Sequence, residues 1–204
     1  MRLAKSRTYD AAHGMRGNLR ILTVQGCLET AVACITAFTK RYPDIKIEAD
    51  VVTGAGQMAS INRRDADIFI STLPLIDAFP QLEKRVLQRK QFSLLLPSTW
   101  DCQVDTKDFS FLKGVPLICE RDTEAPYLVN LFFEICQNRG LYPENVYWCN
   151  SAISQLLMLK CGLGFSLSPS PSTDIFTDDL RVIPLEGYDA LSEDALGWLH
   201  KTSN

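Results

Sequence analysis

The feature that most constrains the fold is an alternation of strand and helix patterns in the first seventy residues. Leu19–Val24 is an apolar run typical of a strand, and it is followed by an apolar stripe at helical spacing that Pro43 ends. Ile45–Val52 and Asp67–Ser71 are two further strand candidates, separated by the glycine-rich turn Thr53–Gly56 and a short helix. This βαβαβ order predicts a parallel sheet covered by helices.

The middle of the chain repeats this alternation. Phe92–Leu96 and Val115–Cys119 are short strand candidates. Pro126 suits the first turn of a helix, and Gly140 is placed to end it. We therefore expect a second unit of the same α/β kind.

The stretch Cys149–Pro169 supports a second unit most directly. Asn150 and Ser151 are residue types that begin helices, and Gly162 suits the left-handed position at a helix end. The run GFSLSP that follows predicts another strand, stopped by its proline. Strand, helix and strand in so few residues are typical of one parallel crossover.

Together these patterns predict two Rossmann-like subdomains. We assign 18–91 and 184–204 to subdomain I, 92–183 to subdomain II, and 1–17 to a basic leader, either a solvated tail or the end of a linker. If the last strand candidate, Leu196–His200, rejoins the first sheet, the chain crosses between subdomains twice and leaves a ligand cleft between them.

Composition narrows the class of protein. The chain has 204 residues, 46% of them hydrophobic and 22% charged, which is ordinary for a soluble globular protein. It shows neither an apolar run of membrane-spanning length nor the apolar core of a signal peptide, so we expect a cytoplasmic protein. Seven cysteines with only two histidines favour reduced thiols over disulfides or a zinc site. The net charge of −3 gives no general attraction to nucleic acid.

Candidate binding residues lie where strands are expected to meet helices. Ligands of open α/β sheets bind beyond the carboxyl ends of the strands, and four turns qualify here. They are Gln25–Cys27, Thr53–Gly56, Glu120–Pro126 and Asn150–Ala152. Their hydroxyls, amides and bare backbone suit a small polar molecule.

The same turns offer little for catalysis or cofactors. Thr53–Gly56 lacks the lysine of a phosphate loop, and the only histidines, His13 and His200, belong to no recognisable triad. We therefore expect no cofactor, no metal and no enzymatic activity. Arg121 could clamp a carboxylate or pair with neighbouring acids, and Cys27 could be an activated thiol or an inert buried one.

An ordered set of short runs resembles a known family. GNLRILTV, AFTKRYPDIKIEADVVTG, DADIFIS, LLLP, KGVPLI and KCGLGFSLSP resemble the effector-binding domain of LysR-type transcriptional regulators, over about residues 17–200. The resemblance implies the fold of type 2 periplasmic binding proteins. It also implies a role, which is to sense a small effector and change how a linked DNA-binding domain engages its operator.

The resemblance also implies which residues contact the effector. In subdomain I these are Gln25, Gly26, Cys27, Thr53, Gly54, Ser71 and Thr72. In subdomain II they are Pro126, Tyr127, Asn150, Ser151 and Ala152, to which the residues themselves add Arg121. The expected ligand is a small polar metabolite, anchored by a carboxylate. Many relatives place Ser or Thr where this chain has Gln-Gly-Cys, so the ligand class stays open.

The family further implies an antiparallel homodimer, with the helix around Thr30–Lys40 packing against the second subdomain of the other copy. Its members usually begin with a winged helix-turn-helix and a linker helix, which this sequence lacks, so we expect DNA contact only through such a domain. The chain would then be a piece of a longer regulator or a free-standing effector domain. Two alternatives are a solute-binding protein that delivers a ligand to a transporter, and a redox sensor that uses two of the seven cysteines.

Overall fold

The computed structural model of the chain describes residues 17–121, 127–169 and 179–199. Two compact units share the chain, and the second, Arg89–Glu193, is inserted between the two parts of the first, Met1–Gln88 and Asp194–Asn204. The chain therefore crosses between units twice. The predicted α/β class with two subdomains is confirmed.

The strands and helices are numbered along the described chain. The strands are β1 Asn18–Val24, β2 Lys46–Val52, β3 Ile68–Thr72, β4 Leu82–Gln91, β5 Ser93–Pro97, β6 Leu117–Glu120, β7 Val146–Cys149, β8 Ser166–Ser168, β9 Leu180–Pro184 and β10 Leu191–Leu199. The helices are α1 Leu28–Arg41, α2 Gly54–Arg63, α3 Leu73–Asp77, α4 Tyr127–Asn138 and α5 Ala152–Lys160. Short 3-10 turns occupy Gln25–Cys27, Ser110–Leu112 and Tyr188–Ala190.

The first unit is built on a five-stranded sheet with the order β2-β1-β3-β10-β4. β1 pairs in parallel with β2 and β3, whereas β10 returns antiparallel to β3. On one face Leu22 and Phe69 pack with Ile61 of α2, and on the other Ile21 and Ile70 pack under α1. The predicted βαβαβ order and the return of the last strand are therefore confirmed.

Local contacts set the limits of α2, which begins at Gly54, inside the segment predicted as a glycine-rich turn. The Thr53 hydroxyl accepts the Gly56 N–H at 3.1 Å, which caps the helix at its start. Arg64 adopts the left-handed conformation, with φ 55°, at its end. This cap fixes the direction in which the chain leaves the end of β2.

The second unit contains an antiparallel sheet, β8-β5-β9, and a parallel pair, β6-β7. Phe165 joins them, because its carbonyl accepts the Ile118 N–H at 2.8 Å and its N–H donates to the Pro116 carbonyl at 3.0 Å. Gly164 allows this approach, since a Cβ there would lie 2.2 Å from the Pro116 carbonyl oxygen. The core beneath holds fully buried aromatic side chains, among them Phe92 and Phe109.

The helices of the second unit end close to glycines, and one of these helices is only partly buried. Gly140 and Gly162 have φ of 74° and 72°, as expected for residues that end helices. The apolar side chains of α5 are buried only in part, because Leu156 packs on the core whereas Ile153 and Leu157 are exposed. Within the described residues, no helix is long and apolar enough to cross a membrane.

Candidate functional site

In the first unit, the predicted contact residues lie at one edge of the sheet. Gln25–Cys27 follow β1, Thr53 and Gly54 follow β2, and Ser71 and Thr72 end β3. Since these three strands are parallel neighbours, with Val24 opposite Val52 in the register, their carboxyl ends meet at the same edge. The fold therefore brings all seven residues predicted in this unit to one edge.

These residues differ in exposure. Thr53 is exposed and Gln25 is half-buried, so their surfaces are open to a ligand. Cys27, Ser71 and Thr72 are buried within the unit. They support the edge from below, and any direct contact with a ligand at these three positions stays a prediction.

A polar cluster lies directly under the turn Gln25–Cys27, with three buried members and an exposed one, Gln88. The Asp194 carboxylate is fully buried and accepts hydrogen bonds from the Cys27 thiol, at 3.3 Å, and from the Thr30 hydroxyl. The Gln88 side-chain amide donates to the same carboxylate at 3.2 Å and to the Thr30 hydroxyl. Sequence reasoning missed this cluster. The cluster also decides between an activated and a buried thiol at Cys27, because this thiol is buried and donates a hydrogen bond.

On the α2 face, Gln57 holds the ends of two strands. Its Nε2 donates to the carbonyls of Leu22 on β1 and Ile70 on β3, at 3.1 and 3.2 Å. Its Oε1 and the hydroxyl of Ser71 are buried without a hydrogen-bond partner among the described residues. Gln57 therefore bridges β1 and β3 near their carboxyl ends, a role that its local sequence does not signal.

In the second unit, the edge of the β6-β7 pair gathers the other predicted residues. Glu120 lies opposite Cys149 in the parallel register, so Arg121 and Asn150–Ala152 follow neighbouring strand ends. The Arg121 N–H donates to the Cys149 carbonyl at 2.7 Å, extending the pairing by one residue.

Two of the predicted residues in this unit can be described less fully. Pro126 lies outside the described residues, and Tyr127 is the first residue of α4. Their expected contacts with a ligand stay predictions.

The second edge carries a positive charge beside an aromatic ring. The Arg121 guanidinium lies over the exposed Trp148 indole, 5.5 Å from its centre. Next to it, the Ser151 hydroxyl accepts the Ser154 N–H at 3.1 Å and caps α5, whose positive end faces this edge. A cation and a helix N-terminus at neighbouring strand ends suit an anionic group.

Three cysteines of the second unit, Cys119, Cys136 and Cys149, are buried. Burial raises the pKa of the Cys119 and Cys136 thiols to about 12, and it also raises the pKa of Cys149. Each is therefore a neutral thiol at physiological pH. In the part of the chain that the structure describes, no group of three or more His, Cys, Asp or Glu side chains could hold a metal ion.

Comparison with known proteins assigns the chain to a family. The family model for the LysR substrate binding domain matches residues 12–203. Among curated proteins, the chain is similar to the HTH-type transcriptional regulator BudR of Raoultella terrigena, with 22% identity over 205 residues, 96% of this chain and 68% of BudR.

Solved structures of related proteins share the fold. Full-length CbnR in complex with its target DNA matches with a TM-score of 0.79 and 14% identity, over 98% of this chain and 70% of CbnR. The BenM effector-binding domain with its effector benzoate matches with a TM-score of 0.72 and 16% identity, over 93% of this chain and 86% of that one. These matches confirm the predicted fold of type 2 periplasmic binding proteins. Because the family match spans nearly the whole chain, the protein belongs to the LysR substrate-binding domain family, the effector-binding domains of LysR-type transcriptional regulators.

Proposed function

We propose that this domain senses a small polar effector at the strand-end edges of its units and thereby regulates transcription. The observation that carries the proposal is the gathering of helix starts and polar turns at the carboxyl ends of parallel strands in each unit. In open α/β sheets this is where ligands bind. Membership of a family of transcriptional regulators supplies the role.

We further propose that the effector carries a carboxylate, anchored at the edge of the second unit. Arg121 offers a fork of N–H donors that matches a carboxylate, and the start of α5 adds the positive end of its dipole. Trp148 offers a flat surface for an apolar or ring-shaped part of the ligand. Benzoate, the effector of BenM, combines these two chemical features.

Calorimetric titration with benzoate as the probe, and benzamide as its uncharged counterpart, tests the anchor. We expect the domain to bind benzoate in preference to benzamide, and Arg121→Gln to remove that preference. Arg85→Gln, an exposed arginine on β4, is the matched control and should leave binding unchanged. Equal binding of both probes, or equal effects of both substitutions, would exclude the proposed anchor.

The turn after β2 provides a test in the other unit. A bulky side chain in Thr53→Trp would project from an exposed position and obstruct the edge while leaving the buried core intact. We expect it to abolish binding of any small molecule that native mass spectrometry finds bound to the purified wild-type domain. Unchanged binding by a folded variant would place the ligand elsewhere.

We also propose that the domain forms an antiparallel homodimer, in which α1 of one copy packs against α5 of the other. Apolar side chains on both elements support this arrangement. Val32 of α1 is 57% exposed, with Val51 of β2 in the same unit 55% exposed, and Ile153 and Leu157 of α5 are 71% and 63% exposed. Paired apolar surfaces of this kind mark protein interfaces.

Light scattering after size-exclusion chromatography tests the dimer. Ile153→Lys places a charge in the proposed interface and should convert the dimer to a monomer. The matched control is Tyr142→Lys, since Tyr142 is equally exposed, at 70%, but lies outside α1 and α5. A dimer that survives Ile153→Lys, or that Tyr142→Lys also breaks, argues against this interface.

Family membership also supports a cytoplasmic location and an indirect link to DNA. CbnR is solved in complex with its target DNA, and BudR is an HTH-type regulator. By analogy, the present domain would act on an operator through a winged helix-turn-helix domain to which it is joined.

A further inference from the structure

The cluster under the first turn connects four separate parts of the first unit through one side chain. One oxygen of the Asp194 carboxylate accepts from the Cys27 thiol at 3.3 Å. The other accepts from the Thr30 hydroxyl and from the Gln88 amide, the latter at 3.2 Å. Gln88 also donates to the Thr30 hydroxyl, which closes the network.

These residues lie where the chain enters and leaves the first unit and at the predicted ligand turn. Gln88 is the last residue of the first unit before the chain leaves along β4, and Asp194 is the first residue of that unit when the chain returns along β10. Cys27 ends the turn that follows β1, and Thr30 lies in the first turn of α1. One buried carboxylate therefore contacts the predicted ligand turn and both strands that connect the units.

We propose that Asp194 is a positioning residue that couples the conformation of the turn Gln25–Cys27 to both connecting strands. This rests on the proposed function, which takes the turn as part of the effector site. It adds a route by which a conformational change at the turn reaches β4 and β10, the strands that connect the units. The ligand itself need not touch Asp194.

The physical basis is the high cost of breaking hydrogen bonds to a buried carboxylate. The Asp194 carboxylate is fully buried, so losing one of its donors is costly, and the carboxylate and its donors are most stable when they move together. A shift of the turn that draws the Cys27 thiol away favours a rearrangement that also moves Thr30 and Gln88. Two sites are coupled when both bias the same element. Here the sites are the turn Gln25–Cys27 and the connecting strands, and the shared element is the Asp194 carboxylate.

Hydrogen-exchange mass spectrometry of the whole chain tests the coupling without any ligand. We expect Cys27→Ala to speed amide exchange about tenfold in β4 and β10, since protection falls when local contacts loosen. Cys27→Ser restores a donor and should return exchange to the wild-type rate. Cys34→Ala is the matched control, because it removes another thiol close by, on α1, and should leave β4 unchanged.

The Asp194→Asn background separates coupling from a merely structural role. If Asp194 carries the effect, Cys27→Ala should add nothing to exchange in β4 once Asp194 is replaced. If the two substitutions act independently, their effects add, and the proposal fails. Should Asp194→Asn not fold, Thr30→Val provides the same comparison, since it removes one donor of the network while keeping the side-chain shape.

The outcome is independent of the effector test. Coupled exchange with no binding of any small molecule would retain the network and reject the proposed function. Binding with additive exchange effects would retain the proposed function and reject the coupling. Equal β4 exchange in Cys27→Ala and Cys34→Ala would also reject it.

Discussion

The sharpest prediction about stability concerns Arg139, a buried arginine in the second unit. Its side chain is 5% exposed, yet its guanidinium is fully engaged. The bonds run to the Thr106 carbonyl at 2.8 Å, the Ile135 carbonyl at 3.1 Å, the Glu186 carbonyl at 2.7 Å and both oxygens of Asp189. The group therefore ties the end of α4 to two loops that are distant in sequence.

Arg139→Met keeps the apolar stem but removes every one of these bonds. Removing the guanidinium costs about 3 kcal/mol, because three carbonyls each lose a donor at about 1 kcal/mol, whereas water can reach the 31%-exposed Asp189. We expect the free energy of unfolding to fall by that amount. Arg139→Lys should be intermediate, since an ammonium keeps the charge but cannot form the two-pronged contact with Asp189.

The same unit provides a matched control. Arg89 pairs with Glu193 at 2.6 Å, in a contact as short as that between Arg139 and Asp189, but the Arg89 side chain is 76% exposed. Exposed pairs contribute under about 1 kcal/mol, so Arg89→Met should have little effect.

Urea unfolding, followed by tryptophan fluorescence, measures both variants. Trp100 packs against the core of the second unit and reports on it directly. If Arg139→Met costs no more than Arg89→Met, burial does not determine the strength of these pairs and the reasoning is refuted.

Three further predictions follow from the same unit. Gly164→Ala forces a Cβ against a backbone carbonyl and should lower the unfolding midpoint sharply, whereas Gly17→Ala meets nothing within 4 Å and should not, in the same urea assay. The buried guanidinium that bonds Asp189 lowers the pKa of that carboxyl. The stability that the ionised Asp189 contributes is therefore complete above the unfolded pKa of about 4 and is lost as pH falls through the folded pKa. The free energy of unfolding, measured from pH 5 to 2, should therefore fall more steeply in wild type than in Asp189→Asn. Because burial raises the pKa of Cys119 and Cys136 to about 12, iodoacetamide should leave both unmodified in the native protein at pH 8, and labelling there comparable to the unfolded chain would contradict this.

Strands with a simple apolar pattern were predictable from the sequence. β1, β3 and β5 are short apolar runs that the sheets bury, so composition and position agree. β4 was not predicted as a strand, because its sequence LEKRVLQRKQ is rich in charge and shows no alternation. It lies at the edge of its sheet, where most of its side chains face solvent, and pairing with β10 rather than side-chain burial makes it a strand.

The edges of the candidate site were predictable for a different reason. Turns after parallel strands meet at one edge whatever their sequence, so Gln25–Cys27 and Thr53 could be grouped from the sequence alone. The buried network could not. Cys27 and Asp194 are 167 positions apart, and only the antiparallel return of β10 brings them together. Arg139 and Asp189 are 50 apart and give no local signal either.

The burial of four cysteines argues against the alternative that the domain is a redox sensor. A peroxide sensor needs a thiolate and a second thiol within reach. The Cys149 thiol donates to the Cys119 carbonyl at 3.3 Å, and Cys119 and Cys136 belong to one buried cluster, so the second unit brings these thiols near one another. The same burial that gathers these three thiols raises the pKa of each, which removes the thiolate on which the reaction depends. Cys27 is likewise engaged as a buried donor to Asp194. Burial therefore makes these four cysteines poor candidates for the peroxide-reactive thiol of a redox sensor.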